Sequence, residues 1–110
     1  MVDGCIFCKI VAHSVPGEIV FEDDLVVAFK DLHPVAPVHL LIVPKRHVAD
    51  LNNVPATDEP LYGRIVWVAS ALAKKQGIAD SGWQLFARVG TGGGQEVGHV
   101  HFHLISGKRC

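Results

Sequence analysis

Near the C-terminus the chain reads His99-Val100-His101-Phe102-His103-Leu104-Ile105, histidines alternating with apolar residues. That alternation has the period of a β-strand, not of a helix. On a strand, His99, His101 and His103 share one face, while Val100, Phe102 and Leu104 share the other and enter a core. Same-face neighbours are about 7 Å apart and the outer two about 13 Å apart, so one metal ion with ligand distances of about 2 Å takes two adjacent histidines but never all three. The simplest reading, polar residues on the solvent side of a half-buried strand, suits one histidine better than three. The middle ring, with potential donors on both sides, reads as an attacking group with helpers.

A chain of 110 residues is one domain, 1–110, able to bury a single core without staples. A formal net charge of −1 excludes nucleic acid held by bulk electrostatics. Met1-Val2-Asp3-Gly4 has neither a basic nor an apolar leader region, and no apolar run approaches the ~20 residues of a membrane span. The expectation is a cytoplasmic enzyme or binding module with no membrane contact. Three cysteines, two of them in Cys5-Ile6-Phe7-Cys8, do not make a disulfide framework. The CxxC pair leaves open half a zinc site, a redox pair, or two small buried thiols. No strand precedes it as a redox motif requires, and no second CxxC follows to complete a metal site.

Along the chain, Val15-Pro16-Gly17 is a turn. Residues 19–22 and 25–29 read as strands joined by Asp23-Asp24, and residues 39–43 as a third. Asp31, at a strand exit, suits either a pair of vicinal hydroxyls or a loop cap. Thr57 is the expected N-cap of a helix running to about Gln76 and stopped by Gly77. Its buried stripe is Leu61, Ile65, Val68, Ala69 and Leu72, with Trp67 off the stripe, where a partner surface would use it. Residues 83–89 form a fourth strand and residues 99–105 a fifth. The fold class is α+β: a mostly antiparallel five-stranded sheet with one long helix and a short N-terminal one. The glycine run 90–94 fits neither phosphate-loop pattern, yet backbone N–H groups from Gly93 to Glu96 beside the histidines could close on an anion.

A neutral imidazole attacks phosphorus as well as carbon and is available at neutral pH. Charge gathering on phosphoryl oxygens needs donors, here the loop N–H groups and the His103 ring, with His39 able to point into the same cleft. No acidic cluster suggests catalytic magnesium, and no serine sits in a nucleophile elbow. The chemistry points to a phosphoryl or nucleotidyl site with a covalent histidine intermediate.

These residues resemble the signature of the histidine triad (HIT) superfamily. Ile6-Phe7-Cys8-Lys9-Ile10, Phe29-Lys30-Asp31-Leu32, the segment from Ala36 through His47, and Gly93-Gly94-Gln95-Glu96-Val97 resemble its Hint branch, covering essentially the whole chain. The resemblance implies hydrolysis of purine nucleoside phosphoramidates, an AMP-type nucleotide bonded through phosphorus to an amine, by a homodimer whose sheet continues across the interface. His101 would attack the phosphorus, His103 would donate to its oxygens, and His99 and His39 would support them. Asp31 would hold the ribose, and Phe7, Ile10, Leu32 and Leu41 would surround the purine. Gly94, Gln95 and Glu96 would lie along the phosphate. Arg88 stands where many relatives have a nucleotide-positioning asparagine, and Glu96 where many have serine, which bears on the leaving group. Many relatives also carry a longer tail beyond the triad. The resemblance further implies a structural zinc on Cys5, Cys8, His47 and His99, with no cofactor needed for catalysis. Dinucleoside polyphosphate hydrolysis or nucleotidyl transfer, and a nucleotide- or zinc-binding module without turnover, are the competing readings.

Overall fold

The computed structural model describes residues 4–107; Met1–Asp3 and Lys108–Cys110, and with them any role of Cys110, lie outside the described residues. A six-residue helix α1 (Ile6–Val11) precedes the hairpin of β1 (Ile19–Glu22) and β2 (Val26–Lys30). Then come β3 (Val38–Pro44), the long helix α2 (Glu59–Lys75), β4 (Gln84–Ala87) and β5 (Phe102–Ser106). The five strands form one antiparallel sheet in the order β1-β2-β3-β5-β4.

The pleat sorts the side chains. Val26, Ala28, Leu40, Ile42 and Leu104 face α2, where they pack on Ile65, Val68, Ala69 and Leu72. Each valine, leucine or isoleucine among them, fully buried, stabilises the fold by about 1.5–3 kcal/mol. Val27, Phe29, Leu41 and Val43 face the other way and are covered by Phe7, Cys8, Ile10 and Val11 of α1. The strand residues that α1 covers lie on β2 and β3; His103 on β5 and Phe86 on β4 follow Leu41 across the ladder on that same face.

Asp23 makes the hairpin turn: its Oδ1 accepts from the amides of Leu25 and Val26, and its Oδ2 accepts from the Arg64 guanidinium on α2. Burial opposes ionisation of Asp23, but those two amides and the arginine outweigh it and hold the carboxyl below its usual range. The stripe on α2 is buried as its spacing predicts, Leu61 partly, and Trp67 is exposed beneath the Arg64 guanidinium. Gly77 ends the helix with φ 75°.

Strand ends move by one or two residues from expectation in β2, β3 and β4, and two boundaries differ in kind. Thr57 is not the N-cap: it lies inside a single 3-10 turn, Ala56–Asp58, and α2 starts at Glu59 with no side-chain cap, since the Asp58 carboxylate accepts from Arg46 instead. The histidine strand also starts late, at Phe102. Val100 donates its N–H to Val48 of the loop after β3, which draws residues 99–101 out of the ladder. No described helix is long and apolar enough to cross a membrane.

Candidate active site and metal cluster

The proton on each imidazole can be placed from what its nitrogens face. His101 Nδ1 lies 2.8 Å from the carbonyl oxygen of His99, which only accepts, so Nδ1 carries the hydrogen and Nε2 keeps its lone pair. The ring is buried, with the edge of Phe7 against it at 5.0 Å. Its orientation and its tautomer are therefore both fixed, and the fixed tautomer is the nucleophilic one at Nε2.

His103 and His39 face the same side of the sheet, diagonally across the β3–β5 pairing, where Leu41 is opposite His103. The Val35 amide donates to His39 Nδ1 at 3.1 Å, so the His39 hydrogen is on Nε2. That hydrogen faces His103 Nδ1 at 2.9 Å and Asp31 Oδ2 at 3.2 Å. His103 Nδ1 is then an acceptor, and its own hydrogen sits on Nε2. Backbone, His39 and His103 form a relay that delivers an N–H donor beside the His101 ring, 5.2 Å away centre to centre. Burial, then His101, His39 and Arg88, depress the His103 pKa to about 4 against the opposing pull of Asp31, so the donor is neutral at neutral pH.

Asp31, His39 and His103 offer donor atoms within 4.8 Å of one another, close enough for a metal ion. The proton placement rejects one. A metal on His39 Nε2 would push the hydrogen to Nδ1, where it would meet the Val35 N–H head on.

The second cluster has the opposite polarity. His99 Nε2 donates to the Pro44 carbonyl at 2.9 Å, which leaves the Nδ1 lone pair facing Cys5 Sγ at 3.4 Å and Cys8 Sγ at 3.6 Å. His47 Nδ1 is 3.2 Å from Cys8 Sγ, and the four donor atoms lie within 4.8 Å of one another. Two thiols and two imidazoles at these spacings suit a tetrahedral ion with arms of about 2.0–2.3 Å. Cys5 caps α1, accepting from the Cys8 amide, so the CxxC spacing puts both sulfurs at one helix end. Burial pushes the Cys5 thiol up and the fully buried His99 imidazole down, so both favour their neutral forms. A cleft of about 420 Å³ between Cys5, Ile6, His47 and Glu96 leads to the cluster. The redox reading of the CxxC has nothing further to support it: among the described residues no strand precedes α1.

The other expected site residues divide. Phe7, Ile10 and Leu41 are buried in the α1 cluster, whereas Leu32 is 64% exposed beside Asp31. Asp31 Oδ1 accepts from the His33 amide, so this carboxylate both caps its loop and faces His39. Three of the four loop amides expected to face an anion are turned inward. The N–H groups of Gly93, Gly94 and Gln95 bond to Gly90 and Thr91 carbonyls inside the loop. Gln95 is a brace: its Nε2 donates to Ala49 and Val97 carbonyls and its Oε1 accepts from Gly90 N–H. Gly94 turns the chain with φ 79°, and Glu96 is exposed. Arg88, also exposed, sets its guanidinium over Phe86. Sequence reading missed Phe86, whose ring lies flat on His103.

The family model described as "Scavenger mRNA decapping enzyme C-term binding" matches residues 4–109. The chain is 43% identical over 108 residues to a purine nucleoside phosphoramidase of Escherichia coli, covering 98% of this chain and 91% of that one. It is 43% identical to Protein HitA of Neisseria gonorrhoeae, covering 94% and 95% of the two chains. Among solved structures, a HIT family hydrolase from Legionella pneumophila superposes with a TM-score of 0.92 at 45% identity, covering 96% and 94%. A histidine triad protein from Clostridium difficile gives 0.95 at 41% identity, covering 100% and 96%. With matches that span nearly the whole chain, it is a member of the histidine triad family of nucleotide hydrolases.

Proposed function

We propose that this protein hydrolyses purine nucleoside 5′-phosphoramidates through a nucleotidyl-histidine. The carrying observation is the tautomer of His101: its Nδ1–H bonds to the His99 carbonyl and its Nε2 lone pair stands beside the His103 ring. Nε2 forms a bond to the α-phosphorus. The P–N bond breaks, and its electron pair leaves with the amine, which takes up a proton from solvent. Water then attacks the same phosphorus, the P–Nε2 bond breaks, and the nucleoside monophosphate departs while the water's proton passes to solvent. Throughout, His103 Nε2–H donates to the oxygens where charge gathers, held by His39, and the His99 carbonyl keeps its grip on His101. Asp31 takes the ribose hydroxyls, Leu32, Leu41, Phe7 and Ile10 bound the base, and Arg88, Gly94 and Glu96 border the phosphate and leaving group. Gln95 acts by holding the glycine loop. The name of the Escherichia coli relative supports this substrate class.

Cys5, Cys8, His47 and His99 would hold a zinc ion, which supplies a structural cross-link between α1, the loop after β3 and the approach to β5. The working unit in this reading is a cytoplasmic homodimer. Its supports are β4, which ends the strand order on one side, and the exposed Val66 and Trp67 on α2.

Release of amine from adenosine 5′-phosphoramidate, compared between the protein and His101→Ala, tests the reaction, with rapid-quench mass spectrometry for AMP on His101. Turnover and adduct both vanish in the variant if the reading is right. AMP binding without turnover by the parent protein would defeat it in favour of a binding module. Faster cleavage of diadenosine polyphosphates would move the protein to the other hydrolytic branch.

A further inference from the structure

Phe86 sits on β4 directly opposite His103 on β5, with ring centroids 4.7 Å apart and planes 10° from parallel. That near-parallel stack covers one face of the imidazole. The edge of His103 is pinned by His39 at Nδ1, and the His101 ring stands tilted at 60° nearby. The Arg88 guanidinium carbon lies 5.5 Å from the Phe86 centroid, over the ring. Strand parity explains the meeting: Leu85 packs towards α2, so Phe86 is turned to the cleft face with His103.

We propose that Phe86 is a positioning residue for His103: its ring fixes the imidazole plane so that Nε2–H stays presented to the phosphoryl oxygens, and Arg88 holds Phe86 in that seat. An imidazole pinned only at Nδ1 can swing about that contact, and its Nε2 would sweep across the cleft. A flat ring on one face removes the swing. It also keeps water from that face, which disfavours the charged form. The charged and titratable groups facing His103 are His101, His39, Arg88 and Asp31, of which only Asp31 favours protonation. The inference rests on the reading of His103 as the phosphoryl donor.

The experiment compares the parent protein with Phe86→Leu and Phe86→Trp, by steady-state kinetics on adenosine 5′-phosphoramidate, NMR titration of the His103 ring, and melting temperature. Phe86→Leu is expected to lower kcat about threefold to tenfold, the worth of an aromatic pair, with KM changed less than about twofold. Its His103 midpoint should move from about 4 towards the ordinary value, and Phe86→Trp should restore both readings. A Phe86→Leu protein that melts lower but keeps the parent kcat and titration would reduce Phe86 to packing and overturn the proposal. If Phe86→Leu does not fold, Phe86→Tyr against Arg88→Gln carries the same readings. The tyrosine should behave as the parent; because Arg88 also acts on His103 directly through its charge, its part is read from the Phe86 ring, whose NMR contacts to His103 should weaken in Arg88→Gln, and unchanged contacts would refute the Arg88 part. A parent protein inactive on every phosphoramidate would remove the proposed reaction. The titration series would still decide whether Phe86 governs His103.

Discussion

Both histidine clusters bring their donor atoms within 4.8 Å of one another, and their protons point in opposite directions. In Asp31–His39–His103 the backbone donates into the cluster at Val35, so each imidazole passes a hydrogen forward and the last nitrogen presents a donor. In Cys5–Cys8–His47–His99 the backbone accepts at Pro44, which drains the hydrogen from the inner face of His99 and leaves a lone pair for a cation. Proximity alone nominates both as metal sites. One backbone amide and one backbone carbonyl separate them: the first cluster is built to donate, the second to ligate.

The largest effect that could break this contrast is metal content. The purified protein should carry one zinc per chain, Cys8→Ser should lose it, and Asp31→Asn should keep it. Structural zinc in small peptides contributes on the order of 10 kcal/mol, so chelation should lower the melting temperature by many degrees. Two zinc ions per chain, or one that Asp31→Asn removes, would erase the distinction.

Next in size is the donor itself. His103→Ala should lower kcat/KM about 10²–10³-fold, the cost of a lost oxyanion donor. His39→Ala should cost about threefold to tenfold, because it removes a neutral hydrogen bond that orients the donor and not the donor itself. Equal losses would mean that His39 does more than orient.

The pH dependence follows in sign from the depressed His103 pKa. The unfolded chain protonates this imidazole near its ordinary value, the folded chain only near 4, so stability is fully present above about 6.5 and is lost as pH falls towards 4. Melting curves from pH 7 to pH 4.5 should show a shallower fall in His103→Asn than in the parent. The smallest effect expected is in Gln95→Ala: raised KM, kcat within about threefold, and a melting temperature lower by a few degrees, as a loop brace and not a reacting group would give.

Periodicity made much of this legible. The stripe on α2 and the Asp23 turn follow from spacing and side-chain chemistry that act locally. The histidine alternation marked the site because three imidazoles on one face have little use as mere surface. Local pattern could not reveal the start of β5, since the bond from Val100 to Val48 joins segments about fifty residues apart and pulls His99 towards the thiols. Nor could it show that the glycine loop consumes its own amides. Phe86 read as an ordinary strand aromatic; only its register against His103, a property of two strands together, gives it a place in the site.

The alternation along β5 also acts as a parity code. Phe102 and Leu104 carry the sign that faces α2, and His103 carries the other. One extra residue inside the strand would exchange the signs, driving an imidazole in among Val68 and Leu72 and a leucine out over the cleft. Two extra residues would restore the sign yet slide His103 past His39 by a full repeat. Length change is therefore readily accommodated only upstream, in the glycine loop, where residues have no side of the sheet to choose.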